Sequence, residues 1–354
     1  MSTLAKGLHH ITLCAGRAQD DVDFFTQVMG QRLVKQTVLM DGSIPVYHLY
    51  YGNAGADVGS IATTFPYARR RGRAGSGQVS ATSYGVPCGT LRFWAEHFER
   101  HAVEHSGVQE RFGARYIRAR HPAGLLLEVM EHDGDCREPW TTSEIGADVA
   151  ARGFFGVVLS VRDVCEQEAF FVEALGLRKV GVDGPYHRFE IPGDAPARTV
   201  ELHHEPDRAA GSWGFGAGTA HHVAFNLETD EALLQQKAFY EELGYTDASE
   251  LKDRFYFHSM YVRSPGGILI ECTSNVPGGF YQDESAEELG TRLHLPPWFD
   301  SHHDAFAAML EPLDVPEENR PHHGLAHAPA QVPHAGASRV RLSRTDPRFT
   351  IERG

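Results

Sequence analysis

The sequence predicts an α+β fold of four repeated units, each with one strand, one helix and three further strands (βαβββ). Alternating apolar runs recur as strands do, and four amphipathic segments each stop just before a glycine. A closing pattern also recurs, because residues 121–128 (HPAGLLLE) match residues 264–271 (SPGGILIE) position by position. Units of this kind bury their apolar faces by pairing. We therefore expect two domains, each with a cupped mixed sheet and helices outside.

The four predicted helices have apolar residues three and four positions apart, which is typical of a helix packed on one face. We place them at residues 20–29, 90–105, 169–175 and 229–243, before Gly30, Gly107, Gly176 and Gly244. The first and fourth begin with acidic residues, as helix N-termini commonly do. Each helix is followed by strand-like segments, which completes the unit.

The repeat lapses over residues 138–152, so we place the domain boundary there. Residues 1–145 would form an N-terminal domain from the first two units, and residues 146–300 a C-terminal domain from the last two. Residues 301–354 would add a short helix and an irregular tail. The tail is rich in Pro, His, Arg and Ala, and we interpret its histidines (His322, His323, His327 and His334) as solvated rather than metal-binding.

Bulk properties exclude several classes of protein. Hydrophobic residues are 42% and charged residues 23% of the 354, which is typical of a globular protein. No apolar run approaches the roughly 20 residues of a membrane span, and no signal peptide is evident, so we expect a cytoplasmic protein without a membrane partner. The net charge of −14 disfavours nucleic acid. A homo-oligomer remains possible.

Two His-His pairs and one glutamate predict a metal centre. His9 and His10 open the first strand, His221 and His222 open the first strand of the fourth unit, and Glu271 ends that unit's closing pattern. Strand residues alternate faces, so one histidine of each pair can point into a cup. We assign His10, His222 and Glu271 as ligands. Two imidazoles and a carboxylate with open positions form the facial triad of non-haem Fe(II) oxygenases, and Mn(II) accepts the same set.

The other units lack such a set. The third unit has Gly156 or Val157 at the ligand position, and the second has no histidine in its first strand, so Glu128 and Glu201 lack imidazole partners. We therefore expect only one cup to hold a metal.

The first unit bears on the type of reaction. A fourth ligand would come from its closing strand, where we place Ile61 or Ala62. Open coordination favours oxygen chemistry over isomerisation.

A polar and aromatic strand at residues 252–262 supplies candidates for substrate binding. Arg254 and Tyr261 are expected to hold a bound anion, since a phenolate needs a positive or donating neighbour to stay ionised. His221 is expected to move a proton, because free histidine titrates at about 6.5.

These motifs resemble the vicinal oxygen chelate superfamily, and more narrowly its (chloro)hydroquinone 1,2-dioxygenase branch. The resemblance covers roughly residues 7 to 300. It implies two vicinal-oxygen-chelate domains and metal ligands from the first and fourth units, whereas catechol-type extradiol enzymes take theirs from the third and fourth. It also implies a supporting histidine beside the fourth-unit ligand, matching His221, pocket residues matching Arg254 and Tyr261, and further pocket positions at His9 and Thr12.

The sequence thus predicts an Fe(II)-dependent dioxygenase that opens a hydroquinone or substituted hydroquinone ring with O2. The predicted catalytic residues are His221, Tyr261 and Arg254, and the predicted substrate-binding residues are His9, Thr12, Arg254 and Tyr261. Three alternatives stay open at this point. They are a catechol-type extradiol dioxygenase, a glyoxalase-like metal isomerase or lyase, and a non-catalytic protein that binds small molecules on the same fold.

Overall fold

The computed structural model describes residues 5–39 and 44–319. These residues form sixteen strands in two sheets, with the predicted βαβββ unit occurring four times. The α+β class is confirmed. The tail predicted to be irregular, with its four histidines, lies outside the described residues from position 320 onward.

The four units follow one another along the chain. The first contains β1 (Leu8–Ala15), α1 (Ala18–Asp23), β2 (Arg32–Val38), β3 (Tyr47–Gly52) and β4 (Ile61–Pro66). The second contains β5 (Gln78–Val86), α2 (Leu91–Arg100), β6 (His105–Arg111), β7 (Ala114–Arg120) and β8 (Leu126–Glu131). The third contains β9 (Gly153–Val161), α3 (Val164–Ala169), β10 (Arg178–Asp183), β11 (Tyr186–Glu190) and β12 (Thr199–His204). The fourth contains β13 (Thr219–Asn226), α4 (Asp230–Glu242), β14 (Lys252–Asp253), β15 (Phe257–Arg263) and β16 (Leu269–Asn275).

The helices follow the predicted apolar stripes with three differences. α3 begins at Val164 instead of residue 169, because the Asp163 side chain accepts hydrogen bonds from the backbone N–H groups of Cys165 and Glu166. α1 and α3 each continue into a π-helical turn, Phe24–Val28 and Phe170–Ala174, which buries a pair of adjacent phenylalanines. α2 ends at Arg100 instead of residue 105, because Ala102 has a positive φ of 54° and turns the chain into β6. Among the described residues, no helix is long and apolar enough to cross a lipid bilayer.

The sheets combine the units in an order that we did not expect. One eight-stranded sheet has the order β14-β15-β16-β13-β1-β4-β3-β2, and the other has the order β10-β11-β12-β9-β5-β8-β7-β6. The first and fourth units therefore share one sheet, and the second and third share the other. Our expectation that consecutive units would share a sheet, within residues 1–145 and 146–300, is wrong. The boundary at residue 145 separates the second unit from the third along the chain, but these two units lie in one sheet.

The pairing of units could not be predicted because the sequence repeat defines each unit without indicating which other unit shares its sheet. Each sheet is joined at its centre by two first strands in antiparallel pairing, β1 with β13 and β5 with β9. All four first strands have similar apolar patterns, so the local sequence does not distinguish one partner from another.

The segment after β16 covers the edge strand β2. Asn319 Oδ1 accepts a hydrogen bond from the backbone N–H of Leu33 at 2.6 Å, and its amide nitrogen donates to the Leu33 carbonyl at 3.0 Å. Lys35, fully buried on β2, forms ion pairs with Asp283, at 2.7 Å, and with Glu284. The same segment contains a short helix, α5 (His303–Met309), between Glu284 and Asn319. This covering protects an edge that would otherwise offer unpaired backbone groups to another strand.

Ion pairs fill the cup of the second sheet. Glu128 and Glu201, at most 2% exposed, occupy its centre. Arg111 lies between them, with Nη2 2.8 Å from Glu128 Oε2 and Nε 2.6 Å from Glu201 Oε2. Arg118 and Arg188 bind the outer oxygens of Glu128 and Glu201, each at 2.6 Å. The two carboxylates that the sequence left without imidazole partners are thus neutralised by guanidinium groups.

We expect Arg111→Met to destabilise the protein by about 3 kcal/mol, because it leaves two buried carboxylates short of a shared counter-charge. Urea unfolding measures this change. The control is Arg115→Met, which removes a half-exposed arginine 3.6 Å from Glu131 and should cost less than about 1 kcal/mol. Equal effects of the two variants would contradict a structural role for the buried network.

Candidate metal centre

The first sheet brings the three predicted metal ligands together. His10 lies on β1, His222 on β13 and Glu271 on β16, and each is at most 5% exposed. The two Nε2 atoms are 2.9 Å apart. Glu271 Oε2 is 2.6 Å from Nε2 of His222 and 3.3 Å from Nε2 of His10. Three donor atoms from distant parts of the chain therefore converge on one point.

The chemistry of these donors fits a divalent cation. Ser259 donates a hydrogen bond to Glu271 Oε1, whereas Oε2 is buried, has no hydroxyl or amide donor among the described residues, and faces the two imidazoles. Burial alone would raise the pKa of Glu271, but the neighbouring His222 and His10 lower it well below its usual value. Burial lowers the pKa of His222. An ionised carboxylate and imidazole lone pairs are the ligands that Fe²⁺, Mn²⁺ and Zn²⁺ accept.

A second histidine supports each candidate ligand from behind. Nδ1 of His9 is 2.8 Å from Nδ1 of His10, and Nδ1 of His221 is 2.7 Å from Nδ1 of His222. With Nε2 bound to a metal, a ligand histidine carries its proton on Nδ1 and donates it to the neighbouring Nδ1. His9 then donates from Nε2 to Asn275 Oδ1, at 2.8 Å. This hydrogen bonding fixes the tautomer and the ring orientation of the ligands.

Both supporting histidines are neutral near pH 7. Burial, with the nearby His10, lowers the pKa of His9 to about 3. Burial, with the nearby His222, lowers the pKa of His221 well below its usual value. His221 lines the cavity beside the centre, so in this tautomer its Nε2–H is available there.

Thr63 is the counterpart of Glu271 in the first unit. In the fourth unit, the residue two positions after the ligand histidine pairs with Glu271. In the first unit, the corresponding residue, Thr12, pairs with Thr63. Our expectation of an apolar residue there, Ile61 or Ala62, is wrong, because no carboxylate marks the register in this copy of the repeat. The position nevertheless offers no carboxylate or imidazole.

A chain of hydrogen bonds extends from this position. The Thr63 hydroxyl is 2.7 Å from the hydroxyl of Thr12, which is 2.7 Å from Nε2 of His222. Thr63 is also 3.1 Å from Nε2 of His48, whose Nδ1 is 3.0 Å from the Tyr50 hydroxyl. Sequence analysis missed His48 and Tyr50, although their alternation on β3 is the signal that could have found them.

A cavity opens beside the three donors. Arg254 and Tyr261 lie in its wall, as predicted, and Nε of Arg254 donates to the Tyr261 hydroxyl at 3.2 Å. Burial raises the pKa of Tyr261 although Arg254 opposes this, so Tyr261 is a neutral phenol. The remaining wall includes residues that the sequence did not indicate, namely Leu39, His48, Tyr50, Phe65, Tyr67, Phe215 and Phe257.

His9 and Thr12 do not line this cavity. They lie behind its wall, where His9 contacts His10 and Thr12 contacts His222. The structure therefore shows them in contact with the candidate ligands, and not at the surface that a substrate would touch. The strict alternation of faces that we expected of each His-His pair does not hold, because the pairing of β1 with β13 is irregular between Leu8 and Ile11, and His221 lines the cavity together with His222.

Known proteins share this arrangement of units over nearly their whole length. A chlorohydroquinone/hydroquinone 1,2-dioxygenase of Sphingobium indicum is 41% identical over 315 residues, which are 88% of this chain and 98% of that protein. The chain belongs to the ring-cleaving dioxygenases of the vicinal oxygen chelate superfamily. A putative ring-cleaving dioxygenase of Bacillus subtilis, MhqO, is 37% identical over 90% of this chain and 99% of its own length. The resemblance noted in the sequence is confirmed.

The family model and the solved structures agree with this assignment. The Glyoxalase/Bleomycin resistance protein/Dioxygenase superfamily model matches residues 153–272. The crystal structure of a putative dioxygenase from Bacillus subtilis superposes with a TM-score of 0.84 at 37% identity, covering 90% of this chain and all of that one. Glyoxalase I from Zea mays superposes with a TM-score of 0.56 at 16% identity, covering 77% and 93%, which shows a shared fold alone.

We expect His222→Ala in this dioxygenase to weaken Fe(II) binding by at least about 100-fold, because it removes one of three donors. Iron retained after gel filtration of the anaerobically loaded protein measures the effect. His203→Ala, which removes a histidine from β12 in the other sheet, should keep the iron of the unmodified chain. Iron retention by the His222→Ala variant would remove this residue from the ligand set.

Proposed function

We propose that this protein is an Fe(II)-dependent dioxygenase that opens the ring of hydroquinone or a substituted hydroquinone with O2. The observation that carries the proposal is the convergence of His10 Nε2, His222 Nε2 and Glu271 Oε2 at the wall of an aromatic cavity. Sequence identity to a chlorohydroquinone/hydroquinone 1,2-dioxygenase supports the substrate class. Fe(II) is the proposed metal, and Mn(II) is compatible with the same donors.

His10, His222 and Glu271 would hold the metal, which would supply open coordination positions and redox chemistry for the reaction with O2. The chain's own residues position the substrate. The rings of Phe65, Phe215 and Phe257 give the cavity apolar walls suited to a flat aromatic ring.

Arg254 and Tyr261 would hold the oxygen of the substrate. The guanidinium of Arg254 is a permanent positive charge, and it stabilises a phenolate over the neutral phenol. Tyr261 is protonated, and its ring centroid lies 5.8 Å from that of His222. Its hydroxyl can therefore donate a hydrogen bond beside the metal position.

His221 would donate a hydrogen bond from Nε2–H, because the neutral imidazole has no acidic proton to release. Its Nδ1 faces His222, which leaves Nε2–H for the cavity. The Phe215 ring stacks on the imidazole at a centroid distance of 3.8 Å and an interplanar angle of 23°, which fixes the orientation of that N–H. A positioned donor of this kind assists a step in which an oxygen atom gains negative charge.

Oxygen consumption with candidate substrates tests the proposal. The metal-free chain, loaded with Fe(II) under argon, should consume about one O2 per hydroquinone and give a ring-opened acid, because a dioxygenase places both oxygen atoms in its product. Catechol should react more slowly. Stoichiometric iron without oxygen uptake from hydroquinones or catechols would contradict a ring-cleaving function, and turnover of catechol alone would favour the catechol-type alternative.

We expect Thr63→Glu to lower the rate of ring cleavage by a factor of about 100 or more while the protein retains its metal. A carboxylate at the counterpart of Glu271 would complete a four-ligand site, which would close a position needed by substrate or O2. Steady-state oxygen uptake and bound metal are measured on the same sample. Thr63→Ser, which keeps the hydroxyl, is the control and should stay within about threefold of the unmodified enzyme. Full activity of the glutamate variant would show that this position does not control open coordination.

A further inference from the structure

We propose a second divalent-metal site, of the kind that binds Zn²⁺, formed by His97, His101 and Glu144. It lies at the end of α2 and on the connector between β8 and β9, and none of its residues lines the cavity of the first centre. Nothing in the proposed dioxygenase reaction uses these three residues. The site therefore stands independently of the proposed function.

The geometry places three donor atoms within coordinating reach of one ion. His97 and His101 are four residues apart, one helical turn, and their ring centroids are 4.5 Å apart. Glu144 Oε2 is 3.1 Å from Nε2 of His101 and 3.6 Å from Nδ1 of His97. The three donor atoms all lie within 4.8 Å of one another. Two imidazoles and a carboxylate, with water as a fourth ligand, satisfy tetrahedral Zn²⁺.

His97 is held in the tautomer that a metal requires. Its Nε2–H donates to the carbonyl oxygen of Val28 at 3.0 Å, and a carbonyl can only accept, so the lone pair of His97 is on Nδ1. The Phe93 ring stacks on the buried His97 ring at a centroid distance of 5.5 Å and an interplanar angle of 14°. Metal-binding histidines are typically oriented by such a hydrogen bond from the second nitrogen.

A cation already occupies the same place. Arg100 Nη2 is 3.0 Å from Nδ1 of His97 and 3.9 Å from Glu144 Oε2. The Arg100 side chain is 52% exposed, so it can move into solvent without leaving a cavity. A metal ion would replace it and gain His101 as an additional ligand. Arg100 therefore acts as a competitor that weakens metal binding.

The site joins parts of the fold that are separate along the chain. Val28 belongs to the first unit and the two histidines to the second, while Glu144 is on the connector to the third. A turn holds Glu144 in place, because the Thr142 hydroxyl accepts hydrogen bonds from the backbone N–H of Glu144, at 3.3 Å, and of Ile145, at 3.1 Å. Bound metal should consequently stabilise the fold and leave the ring-cleaving reaction unchanged.

Equilibrium dialysis against Zn²⁺ tests the proposal on the full-length chain. His101→Gln and Glu144→Gln should each bind one equivalent fewer than the unmodified protein. Ions held at the first centre or by histidines elsewhere stay bound and cancel in this difference. The matched control is His105→Gln, a nearby histidine outside the site, which should lose none. Arg100→Gln should bind this equivalent about tenfold more tightly, because the competing cation is gone.

Thermal unfolding provides an independent measurement. Zn²⁺ should raise the Tm of the unmodified chain and raise it further in Arg100→Gln. The Zn²⁺-induced rise in Tm should be smaller in His101→Gln and Glu144→Gln than in the unmodified chain, because the contribution of this site is lost. The ring-cleaving activity of Fe(II)-loaded His101→Gln should match that of the unmodified enzyme. Zn²⁺ binding unchanged in both His101→Gln and Glu144→Gln would overturn the proposal, and so would weaker binding by Arg100→Gln.

Discussion

The candidate centre depends on the antiparallel pairing of β1 with β13. This contact joins strands whose candidate ligand histidines, His10 and His222, are 212 residues apart in sequence, and it sets their Nε2 atoms 2.9 Å apart. β16 lies parallel to β13 on its other side and adds Glu271. If consecutive units had shared sheets, His10 would lie in one sheet and the other two ligands in the other. The unexpected order of units is therefore what makes a three-donor site possible.

The two cups of the molecule meet one electrostatic requirement in two ways. A carboxylate that a closing strand buries at the centre of a cup needs a positive partner, since an isolated buried charge is strongly unfavourable. In the first sheet, the convergent lone pairs of two imidazoles leave room beside Glu271 for a metal ion, which would supply that positive charge. In the second, Arg111 bridges Glu128 and Glu201, and its guanidinium fills the space. A difference of a few residues at equivalent strand positions thus separates a candidate reaction centre from a structural ion-pair network.

The convergence of the three candidate ligands could be predicted from sequence because two His-His pairs and a repeated closing pattern mark equivalent strand positions. The α+β class and four units followed from the same periodicity. The pairing of the units could not be predicted, because their first strands have similar apolar patterns and the choice of partner depends on long-range contacts. Thr63 was missed because its register against β1 has no marker in the sequence. Phe215 was missed because it lies on a connector without periodicity, although it stacks on His221 in the folded chain.

Anomalous X-ray scattering at the iron edge, from crystals of the Fe(II)-loaded protein, tests this account most directly. The account predicts a single strong peak at coordinating distance from His10 Nε2, His222 Nε2 and Glu271 Oε2, with open positions facing the aromatic cavity. An iron peak bound by other residues, or density in which either imidazole turns away from the glutamate, would contradict it.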